Sequence, residues 1–257
     1  MATLSELSIG SIVKLNVDSV SYNWLVVQQG IPSSNYDSSC DGTWLMMESL
    51  YGSVKWKNSS SALNDYSTSN VDQYLNSDFL NLFDSDVKNA VKTVKIPYTS
   101  GGGSSGSVVT GASGLSTQVF LPSAQEMSSS KLTSKISEGA TLAYFKGKGD
   151  TDRIAYNQYG YASRYLIRTP DKSNDNYITL ITNKGAVGSG YNGADPYPVR
   201  PIIILPYTFE IGSSFAGNQN FGGTWEEMDS VWECYNGVWT EIAEGYECIN
   251  GVWQETN

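Results

Sequence analysis

The chain has 257 residues, 40% hydrophobic and 16% charged, enough for one large globular domain and a small appendage. A formal charge of −10 argues against a nucleic-acid partner held by phosphate neutralisation. The absence of histidine removes Ser-His-Asp and Cys-His catalysis and imidazole-ligated zinc.

In chain order, Ser11 to Val17 and Tyr22 to Gln28 read as two strands joined by a short turn at Asp18 to Ser21. Ile31 to Gly42 is a polar loop holding Cys40, and Trp44 to Leu50 reads as a central strand. Asn70 to Phe83 is the first predicted helix, because Val71, Leu75, Phe79 and Leu82 form one apolar stripe and Ser69 or Asn70 can cap it. Ser85 to Val94 is the second, with Val87, Ala90, Val91 and Val94 in helical spacing. Ser100 to Thr117 is rich in Gly and Ser and reads as a flexible loop. Gln118 to Pro122 is a short strand, and Ser123-Ala-Gln-Glu126 is a capping box expected to open a helix.

From Asp152 to Leu205 the apolar runs are short, β-branched or aromatic, and bounded by Gly, Pro, Asn or Asp, the signature of strands. Asn183-Lys184-Gly185 sits between two of them as a hairpin turn. Pro206 to Gly223 shifts in composition and reads as a linker. Beyond it Trp225, Trp239 and Trp253 recur every fourteen residues, with Trp232 matching Tyr246, Cys234 matching Cys248, and Asn236-Gly237 matching Asn250-Gly251. Asn-Gly between strand-like residues is a strong hairpin signal, so this tail reads as short β-hairpins, too small to be stable alone. The domain limits expected are therefore 1–206, a linker at 207–223, and 224–257.

Two arginines punctuate the apolar runs, in Leu166-Ile167-Arg168-Thr169-Pro170 and in Val199-Arg200-Pro201. A strand ending in an "LRSP"-like turn, a hairpin, and a "GVRP"-like last strand resemble a DUF6273-like domain family of phage and bacterial surface proteins. Trp44-Leu45-Met46-Met47 and Phe120-Leu121-Pro122-Ser123 fit the same pattern. The resemblance runs from about Ile9 to Leu205; Tyr165, Ile167 and Pro198 depart from the family's Trp, Leu and Gly. It implies an α+β, C-type-lectin-like fold with two amphipathic helices and a mixed or antiparallel sheet, shared with formylglycine-generating enzymes and with the variable proteins of diversity-generating retroelements. The aromatic Asn-Gly-Val-Trp repeat resembles repeats at the ends of phage structural proteins.

The loops between the late strands are rich in Tyr with Asn, Ser and Gly. Tyr offers a large rigid contact face at low entropy cost. A ligand-binding surface is expected from Tyr156, Asn157, Tyr159, Tyr161, Arg164, Tyr177, Tyr191, Asn192 and Asp195. Asp150, Asp152, Asp171, Asp175 and Asp195 match no EF-hand spacing and are read as solvated loop residues, neither a calcium site nor a glycosidase carboxylate pair. Arg168 and Arg200 have the chemistry to bind an anion; they are read instead as structural, their donors tying strand ends and loop carbonyls. Cys40, Cys234 and Cys248 make no disulfide framework, and no cofactor or metal is expected.

The first residues, Met1 to Glu6, show neither a basic region nor a signal-type apolar run, and no segment approaches membrane length. The expectation is a non-enzymatic phage virion protein, a tail or fibre component made in the host cytoplasm, that recognises a host surface glycan or protein. Trp225, Trp232, Trp239, Tyr246 and Trp253 would assemble it with other virion proteins or with itself, a homotrimer being the first guess. The rivals are a head decoration or tail scaffold, a bacterial surface adhesin, and an enzyme of the formylglycine-generating type. The enzyme is disfavoured because those proteins use a cysteine pair or bound copper, whereas Cys40 is the one cysteine before the tail.

Overall fold

A computed structural model describes residues 3–59, 63–128 and 138–211, and in the tail the strand segments 217–221, 224–228, 232–235, 238–241, 246–249 and 252–255. The chain divides into a body, Leu4–Phe209, and a second unit that contains the tail. The body is α+β and mostly β. Its strands are β1 (Ile12–Val17), β2 (Val20–Gln29), β3 (Thr43–Met47), β4 (Tyr51–Lys55), β5 (Val94–Ile96), β6 (Tyr98–Ser100), β7 (Ser107–Val109), β8 (Leu115–Thr117), β9 (Val119–Phe120), β10 (Tyr165–Pro170), β11 (Tyr177–Ile181), β12 (Val187–Asn192), β13 (Pro196–Val199) and β14 (Ile202–Leu205). Two helices, α1 (Asn70–Tyr74) and α2 (Ser85–Ala90), precede β5.

The central sheet has the order β1-β2-β3-β14-β9, and its ladders are antiparallel. The β1–β2 hairpin turns on Asp18 and Ser19, both at positive φ, a conformation that suits the right-handed strand twist and that Asp tolerates better than most residues. Alternation in β2, β3 and β14 sends Leu25, Val27, Trp44, Met46, Ile202 and Ile204 into one core with Phe120, Phe145, Tyr165 and Ile167. The alternate residues Trp24, Val26, Leu45, Met47 and Ile203 are buried too. On that side the Trp24 ring lies 5.5 Å from Phe83, which in turn lies 5.5 Å from Phe79. Burial on both faces explains why β3, β14 and Trp24 to Val27 of β2 read as unbroken apolar runs, whereas the edge strand β1 alternates.

The first helix departs from the simple stripe. It begins as predicted, with Ser69 Oγ accepting from the Asp72 amide at 3.0 Å. It then continues as a π turn over Leu75–Phe79 and a 3₁₀ turn over Leu80–Leu82. The changed winding buries Leu80 where the regular spacing expects Leu82. The second helix is shorter than expected: it stops at Ala90, and Val94, placed in it by spacing, opens β5. Valine suits both states, and the pairing of β5 with β8 decides between them. The same pairing corrects the Gly/Ser-rich loop, which contains two strands, β7 on β6 and β8 on β5.

β10, β11 and β12 form a second antiparallel sheet, and β13 pairs with β4. The β11–β12 turn needs glycine twice over at Gly185: its φ is +78°, and a Cβ there would meet the Asp150 carbonyl oxygen at 1.6 Å. The capping box is present in full, Glu126 N to Ser123 Oγ at 3.1 Å and Ser123 N to Glu126 Oε2 at 2.9 Å. What it opens is a turn over Ala124–Ser128, the following residues lying outside those described. The expected linker also differs. Residues 207–209 belong to the body, with Leu4 and Ser5 amides bonded to the Phe209 and Tyr207 carbonyls at 3.1 Å.

The second unit holds three hairpins: β15 (Gly217–Phe221) with β16 (Thr224–Met228), β17 (Trp232–Tyr235) with β18 (Val238–Glu241), and β19 (Tyr246–Ile249) with β20 (Val252–Glu255). β15 occupies the second half of the expected linker. The fourteen-residue spacing persists in the pairing, since Trp239 stands opposite Cys234 and Trp253 opposite Cys248. Trp225 pairs with Asn220, Trp232 with Glu241 and Tyr246 with Glu255.

Two acids with raised pKa make the stability of the body depend on pH. Glu138 is fully buried, accepts from Thr99 Oγ1 at 2.6 Å, and leaves Oε2 unpaired. Burial pushes its carboxyl from 4.5 up to about 7, with Arg168 opposing the rise. Asp72 is likewise raised to about 7 by burial and by Asp65. In both, the folded state holds the proton more tightly than the unfolded state, so stability falls as pH rises from 3.8 for Asp72, and from 4.5 for Glu138, to about 7 and then levels. For Glu138 the loss is about 3 kcal/mol. Urea unfolding at pH 5 and pH 8 should show the body less stable at pH 8. Glu138→Gln should remove most of its share of that fall, leaving the part due to Asp72.

Candidate functional site

The candidate site lies where the central sheet meets the Tyr156 loop. Tyr22, Asn23 and Leu25 come from β2, and Glu48 and Ser49 from the β3–β4 turn. Tyr144, Asp152, Ile154, Tyr156 and Asn157 come from the segment before β10, and Arg200 from the step between β13 and β14. Together they line a cleft of about 470 Å³. That size lies within the range of small-ligand sites.

Hydrogen bonds hold these pieces in register. The Glu48 amide donates to the Asn23 carbonyl at 2.9 Å, and Asn23 Nδ2 donates to Glu48 Oε2 at 3.0 Å. The Leu50 amide donates to the Tyr156 carbonyl at 2.8 Å, which ties the loop to the turn. Arg200 is 4% exposed; its Nε donates to the Met47 carbonyl at 2.9 Å, its guanidinium lies 5.9 Å from the Tyr165 ring centre, and its Nη1 has no partner. The ring of Tyr144 carries the Lys148 ammonium 3.3 Å from its centre.

Beside the cleft the chain turns back at Tyr156 to Tyr161. Asn157 Oδ1 accepts from the amides of Tyr159 and Tyr161, both at 3.0 Å, and Tyr156 bridges Ala162 across the base. Gly160, at φ +77°, permits the return. With its backbone so occupied, the loop leaves Tyr159 73% and Tyr161 71% exposed.

The nine residues expected to bind a ligand therefore fall into two groups. Tyr156, Asn157, Tyr159 and Tyr161 form the loop at the cleft. Arg164, Tyr177, Tyr191, Asn192 and Asp195 gather at β11–β12. There Arg164 stands 5.2 Å from the Tyr191 ring, Tyr191 packs edge-on to Tyr197 at 6.3 Å, and Tyr177 pairs with Asn192. Asn192 Oδ1 accepts from the Ala194 amide at 3.0 Å, closing the turn that holds Asp195. Burial raises the Tyr197 phenol, and Asp195 adds to the rise. Among the described residues the two groups share no hydrogen bond or ring contact. Of the five assembly residues, Trp225, Trp232, Trp239, Tyr246 and Trp253, the strand register is described and the side chains are not.

The loop aspartates are occupied locally. Asp150 pairs with Arg153, and Asp152 Oδ2 accepts from the Gly149 amide at 2.8 Å. Asp171 accepts from the amides of Ser173 at 2.8 Å and Gly190 at 3.0 Å, and Asp175 accepts from the Ser104 amide at 2.7 Å. Among the described residues, no three His, Cys, Asp or Glu side chains are grouped to hold a metal ion.

A family model described as a domain of unknown function, DUF6273, matches residues 41–207. The chain belongs to the DUF6273 family. The match covers most of the body of this DUF6273 protein, from before β3 to just after β14. No curated protein and no solved structure matches the chain. Both arginines of the "LRSP"-like and "GVRP"-like segments are buried inside that span. Arg168 donates to the carbonyls of Pro97 at 3.1 Å and Leu121 at 2.7 Å, and bidentately to Glu126 at 2.6 Å.

Sequence reasoning picked out Tyr156 and Asn157 but missed the rest of the cleft. Asn23 lies on β2 and Glu48 in the β3–β4 turn, and Arg200 is far from both in sequence; no local pattern joins them. Burial of Arg200 was legible from its apolar flanks, but that one of its donors would be left unpaired was not.

Proposed function

We propose that this DUF6273 protein is a non-enzymatic phage virion component, in the tail or fibre, whose body presents a tyrosine-rich surface for recognition of a host glycan or protein. The observation that carries this reading is the Tyr156–Tyr161 loop, which holds two large exposed rings on a backbone fixed by Asn157. Rigid aromatic groups bind with little loss of side-chain entropy, and the neighbouring Asn and Ser supply adaptable polar contacts. Cys40, the one cysteine of the body, is buried, and burial pushes its thiol up to about 11. That suits a packed side chain rather than a nucleophile.

The placement in a virion rests on the resemblance of the body and of the tail repeat to phage proteins. We read the body as a C-type-lectin-like fold. Two helices ahead of the late strands, and a last strand set in the middle of the sheet, support that reading. The tail serves assembly: three hairpins carry a Trp or Tyr at matched strand positions, and such residues are enriched in interface cores.

Fluorescent full-length protein should bind intact cells of at least one strain in a panel of bacterial hosts. Tyr159→Ala with Tyr161→Ala should weaken that binding about tenfold or more while shifting stability by less than about 1 kcal/mol. No bound strain, or undiminished binding by the double variant, would contradict recognition by this loop. In solution the full chain should have the mass of a trimer and a version ending at Gly223 that of a monomer. Equal oligomeric states would remove the assembly role of the tail.

A further inference from the structure

Three arginines are buried in the body, Arg153, Arg168 and Arg200. Arg153 has a carboxylate partner in Asp150, and Arg168 has one in Glu126. Arg200 has none among the described residues. It holds the Met47 carbonyl, lies against Tyr165, where burial raises the phenol's pKa and Arg200 opposes the rise, and its Nη1 is buried without a hydrogen bond. A buried cation without a counter-charge is costly, and a buried N–H without an acceptor adds to that cost. Unlike the other two, Arg200 lines a cleft.

The mouth of the same cleft has the opposite character. Glu48 and Asp152 are both exposed there. A simple anion is attracted by the floor and repelled by the rim. A molecule with a carboxylate and an ammonium a few bonds apart satisfies both, each charge meeting its opposite. Tyr22 and Tyr144 add aromatic wall, which suits the uncharged part of such a molecule.

We propose that the cleft binds a small zwitterion of the α-amino acid class, with its carboxylate at Arg200 and its ammonium at the carboxylates of Glu48 and Asp152. This site is separate from the exposed rings of Tyr159 and Tyr161 and does not depend on what they bind.

The test is calorimetric titration of the full-length protein with each common amino acid, with acetate and with methylammonium, supported by thermal shift. At least one amino acid should bind and raise Tm, and acetate or methylammonium alone should bind at least about tenfold more weakly. Glu48→Gln with Asp152→Asn, which keep an acceptor oxygen for the Asn23 and Gly149 donors, should shift the ligand-free Tm little and lose about tenfold in affinity. Arg200→Lys, which keeps the charge but loses the planar fork, should lose at least as much. Tyr159→Ala with Tyr161→Ala should bind amino acids like the wild type, which separates a failure here from a failure of surface recognition. The proposal is overturned if no amino acid binds, if acetate binds as tightly as the best amino acid, or if the rim double variant binds unchanged.

Discussion

The body depends on a single buried ion pair. Arg168 and Glu126 are both fully inaccessible to solvent and meet through two parallel hydrogen bonds. Bringing both charges out of water costs several kcal/mol each, and only good geometry with further hydrogen bonds offsets it. Here most of the remaining donors and acceptors are used. Arg168 also holds the Pro97 and Leu121 carbonyls, and Glu126 also accepts from Tyr36 Oη at 2.7 Å and from the Ser123 amide. One pair thereby fixes the ends of β5 and β9, the capping-box turn and the first polar loop. It sits on β10 where the pairing with β11 shifts register, between Leu166 and Pro170. That irregularity lets the Arg168 amide leave the ladder and donate to the Pro122 carbonyl at 3.0 Å.

From this hub the candidate surface follows. β10 is fixed on its core side by Arg168, and the segment before it is fixed by Arg153, whose Nε donates to the Gly185 carbonyl at 2.9 Å and whose Nη1 donates to the Met127 carbonyl at 3.1 Å. Tyr165 Oη closes onto the Arg153 carbonyl at 2.7 Å. Between these anchors the chain has little freedom, and the loop from Tyr156 to Tyr161 is what projects. Arg200 completes the set from the central sheet, and it alone is left short of a counter-charge.

The sequence carried the strands with clear boundaries: the β1–β2 hairpin, β3, and the run that becomes β14, because a sheet buried on both sides leaves continuous apolar residues. It carried Ser123 and Glu126 as a capping box, a local device four residues long, and two of the three tail hairpins through Asn-Gly; the first, with Gly222-Gly223 between its strands, was read as linker. It did not carry the second role of Glu126, because a partner 42 residues away leaves no local trace. It overextended the second helix to Val94, where strand pairing overrides spacing, and it smoothed over the π turn in the first. Tyr159 and Tyr161 were found as surface residues from composition; that Arg164 and Tyr191 would gather elsewhere was not legible, since it follows from the fold of β11 and β12. Glycine at 101–103 and 106 suggested flexibility, yet the Gly103 amide donates to Asn64 Oδ1 at 2.8 Å and the segment is built into β6–β7.

The most direct test of the hub is a double-mutant cycle in urea unfolding with Arg168→Met, Glu126→Leu and the two combined. Each single change leaves a buried charge unpaired and should cost about 3–5 kcal/mol. The combined change removes both charges together and should cost at least about 2 kcal/mol less than the sum of the two. Additive costs, or single variants as stable as the wild type, would contradict the dependence of the body on this pair.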